Sequence, residues 1–219
     1  MKSYQLSVIS GPMTNDPLTL YGILDLGYVA AADAERVTAA LLAGGVSYLQ
    51  LRAKGKDLAL IENVARRVLP LCRGAKVPFI LNDHAALAAA VEADGVHLGQ
   101  DDDSLASARN LTGPKMLIGR STHSLDQARA ALAEGFDYIG FGPLFPTPTK
   151  AGRPAIGLHD IAAMEREVGA HLPAFCIGGI HPGNLAEVLA AGARRIVMVS
   201  ALLQAPDIAA ATRQIVATG

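Results

Sequence analysis

Short apolar and β-branched runs alternate along this chain with longer, alanine-rich segments. Several runs have little polar character over their whole length, which is typical of strands buried on both faces of a parallel sheet. Eight strands are predicted in this way: Tyr21–Gly27, Tyr48–Arg52, Pro78–Asp83, Gly95–Gln100, Met116–Thr122, Tyr138–Phe145, Ala174–Ile180 and Arg195–Ala201.

The segments between the runs have the periodicity of amphipathic helices. The clearest are Asp33–Ala43, Leu58–Leu71, Ala85–Ala93 and Leu125–Glu134. Ser124 and Asn184 precede two helices and are expected to cap them. The glycines at Gly44-Gly45, Gly135 and Gly192 stand where a helix must end before the next strand.

Eight strand–helix units in succession predict a parallel sheet, because each crossover returns the chain to the same end of the sheet. Eight parallel strands close naturally into a (β/α)8 TIM barrel, which is the expected fold, and an open doubly wound sheet is the alternative. Residues 1–20, with Gly11-Pro12 and Asp16-Pro17, are interpreted as an N-terminal extension of a single domain spanning residues 1–219.

Composition narrows the classes of function. Apolar residues make up 51% of the chain, which excludes wholesale disorder, and the net charge of −1 argues against a protein built to grip nucleic acid. No apolar run reaches the roughly 18 residues of a membrane span, and no signal peptide is recognised. Cys72 and Cys176 lack metal or redox spacing, so reduced thiols and a cytoplasmic location are expected.

Candidate chemistry collects where the predicted strands end, as is usual in such barrels. The second strand ends with Gln50, Arg52 and Lys54, which alternation places on one side. Arginine and lysine together suit an anion with several oxygens, although solvated surface cations are the alternative.

Carboxylates follow the third and fourth strands, as Asn82-Asp83 and Asp101-Asp102-Asp103. Oxygen ligands without a Cys or His cluster suit Mg²⁺, which completes its shell with water and substrate phosphate. Helix capping by these aspartates is the alternative. With the neighbouring cations, the pattern favours a diphosphate ligand.

The later strands supply hydroxyls and glycines. Ser121 and Thr122 could orient a substrate, and His123 is either an acid or base or a structural histidine. The proline-stiffened loop after the sixth strand has the makings of an anion clamp in Thr147, Thr149 and Lys150.

The seventh and eighth strands end with Gly178-Gly179 and Val199-Ser200. Loops in these two places form the recurrent phosphate site of TIM barrels, and paired glycines let backbone N–H groups approach phosphate oxygens. Two anion sites at one mouth suggest an enzyme that joins two phosphorylated molecules and releases diphosphate.

Taken together, the motifs over about residues 20–205 resemble those of the thiamine phosphate synthase family. The resemblance rests on Gln50-Leu51-Arg52-Ala53-Lys54, Asn82-Asp83, Gly95-Val96-His97-Leu98-Gly99-Gln100-Asp101-Asp102, Ser121-Thr122-His123-Ser124, Gly142-Pro143-Leu144-Phe145-Pro146-Thr147-Pro148-Thr149-Lys150, Ile177-Gly178-Gly179-Ile180 and Val199-Ser200-Ala201. It implies a (β/α)8 transferase that couples hydroxymethylpyrimidine diphosphate with thiazole phosphate, through a pyrimidine carbocation, to give thiamine phosphate and diphosphate.

The resemblance also implies the site residues. The pyrimidine diphosphate would be held by Gln50, Arg52, Lys54, Asn82 and Lys150, and the pyrimidine ring would contact Ser121. Mg²⁺ would be held by Asp83 and Asp102. The thiazole phosphate would be held by Thr147, Thr149, Gly179, Val199 and Ser200. The residues expected to act in catalysis are Arg52, Lys54, Ser121 and Lys150.

Ala53 departs from the family, which often has Glu there, and this puts support of Arg52 and Lys54 in doubt. Two other functions stay open: a thiazole tautomerase, whose group uses a His in a Ser-x-His-Ser context, and a barrel that senses a thiazole or thiamine phosphate without turnover. The expected partners are small-molecule substrates, not nucleic acid or a membrane, and the sequence leaves open a homo-oligomer.

Overall fold

A computed structural model of the chain describes residues 18–147 and 154–218. Within these residues, eight parallel strands form a closed barrel in which each strand lies beside the next one in sequence. The first strand also pairs with the last, from Thr19 beside Arg195 to Gly22 beside Met198. The predicted (β/α)8 barrel is therefore confirmed, and the open-sheet alternative is wrong.

The strands are β1 Thr19–Asp25, β2 Tyr48–Arg52, β3 Phe79–Asn82, β4 Gly95–Leu98, β5 Leu117–Thr122, β6 Tyr138–Phe141, β7 Ala174–Cys176 and β8 Arg195–Met198. The helices are α1 Ala34–Gly44, α2 Leu58–Ala75, α3 Ala85–Ala90, α4 Leu105–Thr112, α5 Leu125–Glu134, α6 Ile161–Met164, α7 Leu185–Ala190, α8 Ser200–Leu203 and α9 Ile208–Val216. A 3₁₀ turn, Ala31–Asp33, precedes α1, and a π-helical turn, Glu165–Gly169, continues α6.

The later strands are shorter than predicted at their carboxyl ends. β6 stops before Gly142-Pro143, because proline has no N–H group to give to a neighbouring strand. β7 stops before Gly178 and Gly179, whose φ angles of 103° and 68° leave the extended region. The residues that the prediction placed in strands therefore form loops at the mouth of the barrel.

The amino end of the barrel also begins earlier than expected. β1 starts at Thr19, so Thr19 and Leu20 of the predicted extension belong to the barrel, and residues 1–17 lie outside the described residues.

The pairing of β7 with β8 consists of one register pair, Cys176 beside Ile196.

Helix boundaries agree better with the prediction. α5 has the predicted bounds, and the Ser124 hydroxyl accepts a hydrogen bond from the Gln127 N–H at 3.2 Å, as expected of a cap. Gly45 and Gly135 end α1 and α5 in the left-handed conformation that glycine adopts without strain.

The apolar core has two parts. The larger lies between the strands and the surrounding helices, and the smaller fills the barrel interior around the rings of Tyr21, Tyr138 and Phe175. The Phe175 ring meets Tyr21 edge-on at 5.2 Å between centroids and Tyr138 at 5.9 Å. A Cβ on Gly119 would lie 2.1 Å from the Tyr138 ring, so this strand position must be glycine for the interior to pack.

The two cysteines are free and buried. Burial raises the pKa of the Cys72 thiol to about 12, and it raises the pKa of Cys176 as well. Thiols in this state are poor nucleophiles at neutral pH. No helix in the described part of the chain has the length and apolar character to cross a membrane.

Candidate active site

A cavity of about 350 Å³ opens at the carboxyl ends of the strands, above the aromatic floor formed by Tyr21, Tyr138 and Phe175. Eight residues that were predicted from the sequence line this cavity, and they come from strand ends all round the barrel. They are Gln50, Arg52, Asn82, Ser121, Thr147, Gly179, Val199 and Ser200. The barrel therefore brings eight separately predicted residues to one concave site.

Arg52 is held in this site by a carboxylate that sequence reasoning missed. Its Nη1 donates to Asp25 Oδ2 at 2.5 Å, and the two side chains are only 16% and 2% exposed. The other Asp25 oxygen accepts the Gly27 N–H at 2.8 Å. Strand register places Asp25 beside Arg52, so an acid ending β1 next to a base ending β2 was the available signal.

This ion pair bears on the departure from the family at residue 53. Ala53 is buried and carries no charge. Support for Arg52 comes instead from Asp25 on the neighbouring strand. The guanidinium thus has a buried anionic partner without a carboxylate at position 53.

Asp83 follows the cavity-lining Asn82, neither Asp83 nor Asp102 lines the cavity itself, and the two carboxyl groups lie close enough to interact electrostatically. Burial raises the pKa of Asp83, the negative charge of Asp102 raises it further, and the positive charge of Lys54 opposes both. Asp102 is oriented by the Gly99 N–H, which donates to its Oδ2 at 2.6 Å.

The backbone at Asp83 is unusual for a residue with a side chain. Its φ of 68° lies in the left-handed region, and its N–H donates to the His97 carbonyl at 2.9 Å. Such conformations are costly outside glycine and concentrate at functional sites. The left-handed backbone at Asp83 therefore marks it, together with its interaction with Asp102, as a candidate functional residue.

Helix capping does not account for the aspartates. Ser104 caps α4, accepting the Ser107 N–H at 3.1 Å, so Asp101–Asp103 do not cap it. The N-cap position of α3 is occupied by His84, not by Asp83, and the His84 side chain makes no capping bond.

The carboxylate oxygens of Asp83 and Asp102 are the type of ligand that a hard metal ion prefers. Among residues 18–147 and 154–218 no group of three His, Cys, Asp or Glu side chains surrounds a metal position. Two neighbouring carboxylates fit a cation such as Mg²⁺, which takes few protein ligands.

On the opposite side of the mouth, the loop after β7 packs directly beneath the loop after β6. The Phe145 N–H donates to the Gly178 carbonyl at 3.0 Å, and the Leu144 N–H donates to the Ile177 carbonyl at 2.9 Å. A Cβ on Gly179 would lie 2.7 Å from the Phe145 Cβ. Glycine is thus needed at these positions so that the loops after β6 and β7 can touch. The sequence predicted a different reason, namely that the glycines let backbone N–H groups approach phosphate oxygens.

Asn184 fastens the same loop, which corrects its predicted role as a helix cap. Its Oδ1 accepts the His181 N–H at 2.8 Å, and its Nδ2 donates to the Gly179 carbonyl at 2.9 Å. Its side chain makes no capping bond to α7, because the oxygen that would cap that helix is already bound. Both Asn184 and His181 line the cavity.

The two histidines of the motifs have different positions. His97 on β4 lines the cavity, where its Nε2 lies 3.0 Å from Ser121 Oγ, and sequence reasoning gave it no role. Its alternation with the buried Val96 and Leu98 was the signal that it points into the barrel. His123 does not line the cavity, and its Nδ1 contacts the Gly142 carbonyl, in agreement with the structural alternative.

Thr149 and Lys150 lie outside the described residues. The two chain segments that flank them are joined by backbone hydrogen bonds. The Ile156 N–H donates to the Pro143 carbonyl at 2.8 Å, and the Gly157 N–H donates to the Leu144 carbonyl at 3.1 Å.

Comparison with known proteins agrees with this arrangement. The family model described as thiamine monophosphate synthase matches residues 20–202. A thiamine-phosphate synthase from Thermus thermophilus is 48% identical over 181 residues, covering 83% of this chain and 86% of that protein. Another, from Chloroflexus aurantiacus, is 42% identical over 197 residues and covers 90% of both.

A solved structure has the same fold. Thiamine phosphate pyrophosphorylase from Pyrococcus furiosus superposes with a TM-score of 0.80 at 32% identity, covering 90% of this chain and 93% of that one. The fold, the shared sequence over most of the chain and the gathered site residues lead to one conclusion. The chain belongs to the thiamine monophosphate synthase family and is an enzyme of the transferase class.

Proposed function

We propose that this enzyme makes thiamine phosphate by Mg²⁺-dependent coupling of 4-amino-2-methyl-5-hydroxymethylpyrimidine diphosphate with thiazole phosphate. The observation that carries the proposal is the carboxylate pair of Asp83 and Asp102 beside a cavity lined by Arg52 and Asn82. A site for a single phosphate ester would have no need of that pair.

The charged side of the mouth suits the leaving group. Arg52 presents a guanidinium whose orientation is fixed by Asp25, and Lys54 lies close enough to Asp83 to oppose the rise of its pKa. Asp83 and Asp102 would hold Mg²⁺, which when bound would neutralise charge on the departing diphosphate. The resemblance to the family implies that Lys150 would also hold the diphosphate.

The reaction needs no protein nucleophile. The bond from the pyrimidine methylene carbon to the bridging diphosphate oxygen breaks, and both electrons leave with the diphosphate. The thiazole nitrogen then uses its lone pair to form the new carbon–nitrogen bond. Groups that stabilise the growing negative charge on the diphosphate, such as Arg52 and Lys54, therefore contribute most to the rate.

The aromatic floor would protect the carbocation formed in between. Tyr21, Tyr138 and Phe175 close the cavity from below and are each about 2% exposed. A site walled by aromatic rings excludes the water that would otherwise capture the cation. The second substrate would bind across the loops after β6, β7 and β8, with its phosphate near Thr147, Thr149, Gly179, Val199 and Ser200.

The test mixes the purified protein with both substrates and Mg²⁺ and follows thiamine phosphate by chromatography. We expect product that disappears when the metal is chelated and returns when Mg²⁺ is added in excess. Isomerisation of the thiazole without coupling would support the tautomerase alternative, and binding without either reaction would support a sensor. The position of His123 outside the cavity wall favours the synthase over the tautomerase.

A further inference from the structure

Five side chains form a continuous line of hydrogen bonds across the cavity, one from each of five strands. The bonds join Gln50 Nε2 to Tyr21 Oη at 3.0 Å, Tyr21 Oη to Tyr138 Oη at 3.2 Å, Tyr138 Oη to His97 Nδ1 at 3.2 Å, and His97 Nε2 to Ser121 Oγ at 3.0 Å. The proposed function uses only the two ends, Gln50 and Ser121. The three inner members form what we call the relay core: Tyr21, Tyr138 and His97.

The direction of the line follows from counting protons. The Gln50 amide nitrogen can only donate, so Tyr21 Oη accepts from it. A phenol has one proton, and Tyr21 gives it to its other partner, Tyr138 Oη. Tyr138 then has its own single proton to give, and the acceptor within reach is His97 Nδ1.

The opposite direction is unfavourable at Tyr21. If Tyr138 donated to Tyr21, the Tyr21 proton would have no acceptor among residues 18–147 and 154–218. Both phenols are about 2% exposed, so the Tyr21 proton would be left unpaired in a nearly closed part of the site, which is costly. Burial raises the pKa of both phenols, so each keeps its proton throughout the neutral range.

We propose that the relay core fixes His97 as the neutral tautomer protonated at Nε2, which donates to Ser121 Oγ and turns the Ser121 hydroxyl proton away from His97. Tyr21 and Tyr138 are then positioning residues that act through His97. One consequence rests on the proposed function: the relay core holds Ser121 Oγ in place against the substrate, so loss of the Tyr138 hydroxyl lowers the rate of coupling.

The tautomer is tested without substrate. The full-length protein is labelled with ¹⁵N-histidine, and the ring nitrogens are correlated with the ring protons by NMR, with His97 assigned from the spectrum of His97→Gln. We expect a protonated Nε2 and an unprotonated Nδ1. Protonation at Nδ1, or at both nitrogens at neutral pH, would overturn the proposal.

Two phenylalanine variants separate the relay from packing. Tyr138→Phe keeps the ring and removes the donor to Nδ1, so we expect His97 to become a mixture of tautomers. Tyr48→Phe is the matched control, because Tyr48 stacks on Tyr21 at 5.5 Å and contacts Phe175 at 5.3 Å without lining the cavity. We expect it to leave His97 unchanged, and equal perturbation by both variants would contradict the relay.

Kinetics test the consequence for the reaction. Tyr138→Phe is expected to lower kcat about tenfold, the effect of one well-placed hydrogen bond, and to leave KM for thiazole phosphate unchanged. Tyr48→Phe is expected to change neither. An unaltered kcat in Tyr138→Phe alongside an altered tautomer would refute the consequence for catalysis, whereas an inactive parent enzyme would refute the proposed function and leave the tautomer measurement standing.

Discussion

The two sides of the cavity mouth are built in different ways. On the side of β1 to β4, charged side chains are balanced by opposite charges, as in the Arg52–Asp25 pair and in the approach of Lys54 to Asp83. On the side of β6 to β8, the loops are held by backbone hydrogen bonds and by close contact at Gly178 and Gly179.

The difference teaches how each side can fail. A charged side fails when a charge is removed, even if the shape is kept, because the remaining partner is left uncompensated. A closely packed side fails when one carbon is added, even if no charge changes. Isosteric substitutions on the first side and small neutral ones on the second therefore separate the two designs.

The largest effect is expected for Asp102→Asn. The amide oxygen can still accept the Gly99 N–H, so the loop is kept while one negative charge is lost. We expect kcat to fall about a hundredfold, with a higher Mg²⁺ requirement, because electrostatic stabilisation of the leaving group is weakened. The control is Asp103→Asn, the same change at an exposed neighbour; equal losses in both variants would contradict the metal assignment.

Next in size is Asp25→Asn, which leaves Arg52 without its anionic partner while an oxygen remains for the Gly27 N–H. We expect kcat/KM for the pyrimidine diphosphate to fall about thirtyfold, since hydrogen bonds to charged groups contribute ~1.5–3 kcal/mol. Asp33→Asn breaks the exposed pair with Arg36 and should have no measurable effect. A parental rate in Asp25→Asn would show that Arg52 needs no positioning.

On the packed side, Gly179→Ala adds one carbon against Phe145. We expect KM for thiazole phosphate to rise about tenfold, and the free energy of unfolding to fall by ~1–3 kcal/mol. Gly113→Ala shares the left-handed φ, at 75°, but has nothing within 4 Å of the new Cβ. If denaturation and kinetics showed the same losses in both variants, backbone strain rather than loop contact would be the cause.

The smallest effect is expected for Asn184→Ala, which removes two hydrogen bonds to the loop after β7 and leaves its backbone ladder in place. We expect KM for thiazole phosphate to rise about fivefold with kcat nearly unchanged. Asn184→Asp, which keeps the acceptor for the His181 N–H, should fall between parent and alanine variant. Asn110→Ala, at an exposed helix position, is the control, and a similar KM rise there would count against the role of Asn184.

Sequence patterns were sufficient for the barrel because each signal is local. The bounds of α5 follow from its cap and its terminal glycine, and the apolar runs locate every strand. The carboxyl ends of the strands were overextended because apolar residues continue into the loops of the mouth. A run such as Tyr138–Phe145 has one pattern whether it is paired or not, and pairing is decided by the neighbouring strand.

The site residues also divide into those that the sequence could predict and those that it could not. Arg52, Asp83 and Ser121 could be singled out because their chemistry is legible in the residue type. The loop contact of Asn184, predicted only as a helix cap, and the role of Tyr138 could not be predicted, because they depend on which atoms the fold places opposite them.

The pairs of neighbouring strands in the barrel differ in how many residues they pair, and this difference links the stability of the barrel to ligand binding. β8 shares four register pairs with β1 but a single pair, Cys176 with Ile196, with β7. The lightly fastened seam between β7 and β8 runs directly below Gly179 and Ser200, which both line the cavity. A ligand that contacts both residues would bridge β7 and β8. Binding of that ligand would therefore raise the free energy needed to separate the two strands.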